Sequence, residues 1–93
     1  MIVGKYRPLM DYLEDQLANI QTVTLSFGEV ENIIGHKLPK SARHHRPWWA
    51  NVDKIYASQA EGWLGAGFKV DMVSIASEKV RFRRMARKLP LVN

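Results

Sequence analysis

The chain contains no cysteine, which removes disulfides, thiolate nucleophiles and cysteine-held zinc together. No apolar run comes near the ~20 residues that a bilayer-spanning helix needs, and the opening "MIVGKYRPL" lacks the apolar stretch of a secretory signal. Both absences lead to the expectation of a cytoplasmic protein without a membrane partner. Histidine is scarce as well. His36, His44 and His45 are the whole supply, without H-x-x-x-H or H-E-x-x-H spacing, so they read as surface imidazoles and neither a metal nor a cofactor is expected. Repeats, low-complexity tracts and linkers are missing too. What remains, at 93 residues with 46% hydrophobic and 25% charged, reads as one globular domain with room for a single modest core.

Charge is plentiful but uneven. Residues 1–35 hold two basic side chains against five acidic ones, for −3, whereas residues 36–93 hold twelve against four, for +8. An acidic first third beside a basic remainder points to one surface that faces a polyanion.

The hydrophobic pattern divides the chain into short elements. After "YRP", Leu9, Leu13, Leu17 and Ile20 recur at helical spacing, and Pro8 suits a first helical turn, which predicts a helix over about Pro8 to Ala18. "TVTLSF" alternates, with Val23, Leu25 and Phe27 on one side, and reads as a half-buried strand. It runs into "SFGE", a capping box in which Ser26 and Glu29 satisfy each other's backbone N–H, so a second helix starts there with Phe27, Val30, Ile33 and Ile34 inward. Gly35 supplies its left-handed stop. Residues 36–54 read as a long connection with room for a short helical turn around Ser41 to His45. "YASQAEGWLGAG" then places Ala57, Ala60, Trp63 and Leu64 on one helical face and leaves Ser58, Gln59, Glu61 and Gly62 outside. Two strands follow. "FKVDMVSI" puts Phe68, Val70 and Met72 inward and slips phase at Val73, the mark of a bulge, and "KVRFRRM" puts Val80 and Phe82 inward. The ordered core is expected over about 6–84, with 85–93 an extended tail. The result is an α+β single domain, in the order helix, strand, helix, helix, strand, strand, with a small three-stranded antiparallel sheet. That order is winged-helix-like, although a winged helix has a short turn where this chain has about twenty residues.

"YRPLMDYL", "VTLSFGEVENIIGHKLPKSAR", "WWAN", "SQAEGWLGAGFKVDMV" and "VRFRR" together resemble a family of small uncharacterised bacterial and phage domains, a domain of unknown function. Its pattern joins a threonine-rich strand, an acidic capped helix, "G-x-x-L-P-x-S-A", "W-W-x-N", "W-x-x-A-G" and a closing "F-R-R", here spanning roughly residues 6–84. The resemblance implies a bacterial or phage source and a link to DNA. It carries no active site with it.

Among the candidate chemistries, hydrolysis fails first. Ser41, His44 and Asp53 make a triad only on paper, with no nucleophile elbow or oxyanion loop, and "GWLGAG" ends a helix instead of opening one. No catalytic residue is expected, and the chain is not expected to be an enzyme. Basic residues interleaved with aromatics are the remaining constellation. Arg43, His44, His45 and Arg46 lead into Trp48 and Trp49; Lys54 follows; Lys79, Arg81, Arg83 and Arg84 crowd the last strand, with Arg87 and Lys88 behind. Several cations on one surface gain affinity for phosphates by releasing condensed counterions. In a winged arrangement Ser58 and Gln59 would face the major groove, with Gln59 bonding an adenine edge. Trp48 and Trp49 read first as core anchors and second as stacking candidates. Asn51 reads as a residue that satisfies a turn.

The leading expectation is therefore a small basic nucleic-acid-binding module, for double-stranded DNA, without catalysis. The rivals are a protein-interaction module that regulates a host or phage protein, and an accessory subunit of a restriction-type nuclease. A homodimer is compatible with either.

Overall fold

The computed structural model describes residues 4–52 and 58–86. Its first helix, α1 (Arg7–Glu14), has Pro8 in the first turn and an Arg7–Asp11 ion pair of 3.0 Å along its exposed side, while Leu9 and Leu13 are buried. The strand β1 (Thr22–Ser26) passes directly into α2 (Phe27–Ile34) through the expected capping box: Glu29 N–H donates to Ser26 Oγ at 3.0 Å and Ser26 N–H to Glu29 Oε1 at 2.8 Å. Gly35 ends α2 with φ 83°, where a side chain would be strained. Then come α3 (Lys40–His44), a 3-10 turn η1 (Arg46–Trp49), α4 (Ser58–Leu64), β2 (Phe68–Ser74) and β3 (Lys79–Arg84). The sheet is open and antiparallel with β3 in the middle, in the order β1-β3-β2. The chain is thus an α+β domain with four helices and three strands among the described residues. No helix there is long and apolar enough to cross a membrane.

The core lies between one sheet face and the helices. Val23 and Leu25 of β1, Val80 and Phe82 of β3, and Phe68 and Val73 of β2 face inward against Leu9, Leu13, Phe27, Val30, Ala60 and Trp63. Trp49 stacks between Phe27 and Trp63, with ring centroids at 5.3 and 5.8 Å, and its indole N–H donates to the Ala42 carbonyl at 2.8 Å. Each such aromatic, fully removed from water, contributes roughly 1.5–3 kcal/mol, so the tryptophans of "RPWWAN" are what ties the long connection down.

Four sequence expectations are corrected. The first helix stops at Glu14, not Ala18, and Leu17 is 71% exposed. The backbone turns there instead, with Gln16 N–H donating to Leu13 O at 3.2 Å and Ile20 N–H to Leu17 O at 2.9 Å, and Arg84 holds the turn through Nε to Ile20 O and Nη2 to Leu17 O at 3.0 and 3.1 Å. The phase slip in β2 comes earlier than Val73. Met72 opposes Arg81 while Asp71 is left over, so Met72 turns outward, 44% exposed, and Val73 returns to the core. Gly62, expected outside, is buried against α1, where an added Cβ would stand 3.1 Å from Tyr6 Cβ. The fourth concerns His36, expected at the surface. It is half-buried, edge-on to Tyr6 at 5.9 Å, with Nδ1 3.1 Å from the Lys37 carbonyl oxygen and its Nε2 buried without a partner among the described residues. The expected tail from residue 85 begins with Met85, whose N–H donates to Gly67 O at 2.8 Å; residues 87–93 lie outside the described residues.

Candidate nucleic-acid interface

A strand turns successive side chains to opposite faces, so burial of Val80 and Phe82 forces Lys79, Arg81 and Arg83 to the other side of β3. The antiparallel register sets Thr22 and Thr24 of β1 beside Arg83 and Arg81, and Lys69 and Met72 of β2 on the far flank of the same two arginines. The bulge adds Asp71 to this outer face. Four cations (Lys69, Lys79, Arg81 and Arg83) therefore stand with one carboxylate on a sheet surface that no described element covers.

Asp71 organises the face. Its two carboxylate oxygens each accept one Nε–H, from Arg81 at 2.8 Å and from Arg83 at 2.6 Å. The hydrogen bond from Arg81, with Arg83 beside it, holds the Asp71 carboxyl below its usual range despite partial burial. Because the carboxylate occupies Nε alone, the outer Nη groups of both guanidinium forks form no hydrogen bond among the described residues. Such forks match phosphate oxygens bidentately. Two residues along a strand set the Arg81 and Arg83 backbones ~6.8 Å apart, and Asp71 draws both forks to one carboxylate.

A model of the family described as Domain of unknown function (DUF7662) matches residues 6–85. The chain belongs to this family. No curated protein and no solved structure matches it. The DUF7662 match spans α1 to β3, and so includes every residue of the outer sheet face and both ends of the contacts that fix it.

The other expected site residues divide by what they touch. Arg43 bridges Glu31 and Glu78, both at 3.0 Å, and lies 5.7 Å from the Phe27 ring centroid. Glu31 also accepts the Leu38 N–H at 2.8 Å, and this bond, followed by Arg43, holds its carboxyl below the usual range; Glu31 in turn raises Arg43. Arg46 Nη1 donates to the Val73 carbonyl on the outer edge of β2. The 43–46 segment therefore abuts the β2–β3 hairpin where Glu78 and Lys79 stand, and the two basic stretches expected to meet are neighbours. The Arg43 guanidinium, however, is held between two carboxylates, whereas exposed Arg46 gives only Nη1 to the Val73 carbonyl. His44 and His45 are exposed. Arg84 sits over the Phe68 ring at 4.7 Å and belongs to the inner, structural side of the sheet.

Gln59, expected to read a base edge, donates its amide to the Trp48 carbonyl at 3.3 Å. The Ser58 side chain and all of Lys54 lie outside the described residues. Trp49 is 2% exposed between two aromatic rings, so no base can stack on it, and half-buried Trp48 is set edge-on against Tyr6 and Trp49. Both serve as core anchors.

Asn51 does more than satisfy a turn. Its Nδ2 donates to Val70 O at 2.8 Å, and its Oδ1 accepts from Val70 N–H at 2.8 Å and from Trp63 Nε1 at 2.9 Å. The side-chain amide thereby stands in for a neighbouring strand along β2. Asn51, Asp71, Glu31 and Glu78 are the residues that sequence reasoning missed; the "W-W-x-N" and "K-V-D-M" stretches were the available signals.

Proposed function

We propose that this DUF7662 domain is a non-enzymatic nucleic-acid-binding module that engages the phosphates of double-stranded DNA through the outer face of its sheet. The observation that carries the reading is the Asp71-held pair Arg81 and Arg83, whose Nη groups have no partner among the described residues, flanked by Lys69 and Lys79 on a surface that no described element covers. A helix–strand–helix start and a closing β2–β3 hairpin agree with a winged-helix-like plan, with α3 and η1 inserted where that plan has a turn. In this reading the hairpin, not α4, is the contact element: Gln59 is committed to Trp48 O, and Glu61 presents a negative charge.

The test is fluorescence anisotropy on a short random duplex at low salt, with circular dichroism as the folding control. The wild-type chain binds; Arg81→Glu with Arg83→Glu abolishes binding; Lys69→Gln with Lys79→Gln, which leaves the Asp71 clamp intact, weakens it. Binding by the reversed variant equal to wild type refutes the sheet-face contact.

A second reading has its own observation. Arg43, Arg46 and Arg84 are all engaged within the domain, and Met72, 44% exposed, stands in the middle of the cationic face. An acidic protein surface with an apolar centre would fit that mixture, whether on a regulated host or phage protein or on a nuclease that this domain accompanies. Absence of any duplex complex at low salt favours this reading.

A further inference from the structure

The sheet has two edges, and the chain treats them differently. Along β2, Asn51 takes both the N–H and the C=O of Val70, and Arg46 takes the C=O of Val73. That edge is closed. Along β1 the ladder to β3 fixes which backbone groups point inward. Phe27 N–H donates to Glu78 O at 2.8 Å and Arg84 N–H to Gln21 O at 2.7 Å, so Gln21, Val23, Leu25 and Phe27 are the residues hydrogen-bonded to β3. Thr22, Thr24 and Ser26 then direct their backbone groups away from the sheet. Ser26 N–H is used by Glu29, which leaves the N–H and C=O of Thr22 and Thr24 without a partner among the described residues.

Open edges are ordinarily blunted by lysine, proline or a bulge. This one carries only Thr22, Thr24 and Ser26 on its outer side, and β1 has no bulge against β3. The four open groups are also self-complementary. In an antiparallel pair centred on Val23, Thr22 of one copy meets Thr24 of the other, and both N–H···O=C pairs close on each side of the two-fold axis. Centring on Thr24 would instead require Ser26 N–H, which is already bonded. The side chains then form threonine–threonine cross-strand pairs, a favourable type. Beside the edge, on the helix side, Tyr12, Leu25 and Ile33, with the polar Glu29 and Asn32, line a shallow groove that the second copy would cover. The cations do not forbid approach. Three strand spacings, ~14 Å, separate the two β3 strands, more than the Debye length of ~8 Å at physiological salt.

We infer that the Thr22–Thr24 edge of β1 pairs with the same edge of a second copy, joining two three-stranded sheets into one of six strands. The inference is independent of what the outer face binds, although the pairing would place both cationic faces on one side of a continuous sheet.

Sedimentation velocity from low to several hundred micromolar, with amide exchange at both extremes, tests it. The wild-type chain shifts toward twice its monomer mass, and the Thr22 and Thr24 amides slow at high concentration while Val23 and Leu25 stay slow throughout. Thr24→Pro removes an edge donor and no bond to β3, and gives a monomer. Thr24→Lys does the same by charge and decides the matter if the proline variant does not fold. A wild-type monomer at several hundred micromolar overturns the inference and leaves the edge for an extended peptide of another protein. A dimer in which the Thr22 and Thr24 amides remain fast, or one that survives Thr24→Lys, overturns it equally.

Discussion

Replacing Asn51 with alanine should be among the most damaging single changes outside the apolar core. The amide serves three groups at once: Trp63 Nε1–H, Val70 N–H and Val70 C=O. Trp63 is fully buried, so its indole N–H loses the only partner it has among the described residues. An orphaned donor of that kind costs about 1–3 kcal/mol. The two Val70 groups lie nearer solvent, and losing ordered partners there adds about 0.5–1 kcal/mol in total. The expected loss is therefore about 1.5–4 kcal/mol, which for a domain of this size lowers Tm by roughly 6–32 °C. Urea unfolding followed by tryptophan fluorescence reads the loss directly, and amide exchange at Val70 localises it. Asn51→Asp should fall between, since a carboxylate still accepts from both N–H donors and opposes only the Val70 carbonyl. If Asn51→Ala costs less than about 0.5 kcal/mol, the ordinary range of a surface change, water replaces the side chain freely and the closed β2 edge is no clamp.

Other perturbations follow from equally local geometry. In an exposed helix Gly→Ala gains about 1 kcal/mol, but Gly62→Ala sets a Cβ 3.1 Å from Tyr6 Cβ and 3.2 Å from Tyr6 O, and Gly65→Ala one 2.8 Å from Glu61 O. Both should therefore lower the melting temperature, by an overpacking cost of about 1–3 kcal/mol; a rise for Gly62→Ala would show that α1 and α4 separate easily, and one for Gly65→Ala that the end of α4 relaxes. Glu31 and Asp71 have carboxyl groups held below their unfolded values, so their contribution is present above about pH 4 and lost as pH falls through the folded values. The urea midpoint should drop on acidification through that window, and Glu31→Gln with Asp71→Asn should flatten the drop. An unchanged acid limb would refute the assignment.

The parts of this fold that one short window specifies are the parts the sequence reveals. Ser26 and Glu29 need only each other, and Gly35 needs only its own backbone, so the start and stop of α2 can be read directly. Alternation in "TVTLS" and "KVRFRR" gives the strands for the same reason. The misreadings arise where a residue's partner is remote. Leu17 follows helical spacing, yet Arg84, 67 positions away, captures its carbonyl. Asn51 is matched to Val70 across 19 positions. Asp71 becomes a clamp only because the bulge turns it and Met72 to one side, and a phase slip in a hydrophobic pattern does not say which residue is the extra one. The composition of the candidate site was legible in Lys79, Arg81 and Arg83; its boundary was not, because Arg43, Arg46 and Arg84 carry the same charge and different duties.

That difference in duty sets a quantitative expectation for the proposed DNA contact. A guanidinium whose Nε and Nη2 both meet carbonyls, as in Arg84, or which lies between two carboxylates, as Arg43 does, has little left to offer a phosphate. Arg81 and Arg83 each give up Nε alone. The outer face thus presents four cations with one carboxylate, whereas residues 36–93 as a whole carry +8. Counterion release makes log K fall with log salt at about −0.9 per phosphate neutralised. Three or four contacts through the sheet face predict a slope near −3, while engagement of the whole basic segment would give about −7. A measured slope near −3 that shrinks by about two units in Arg81→Gln with Arg83→Gln identifies the face as the contact. A slope near −7 would require cations beyond this sheet, and the hairpin would then be only one part of a larger footprint.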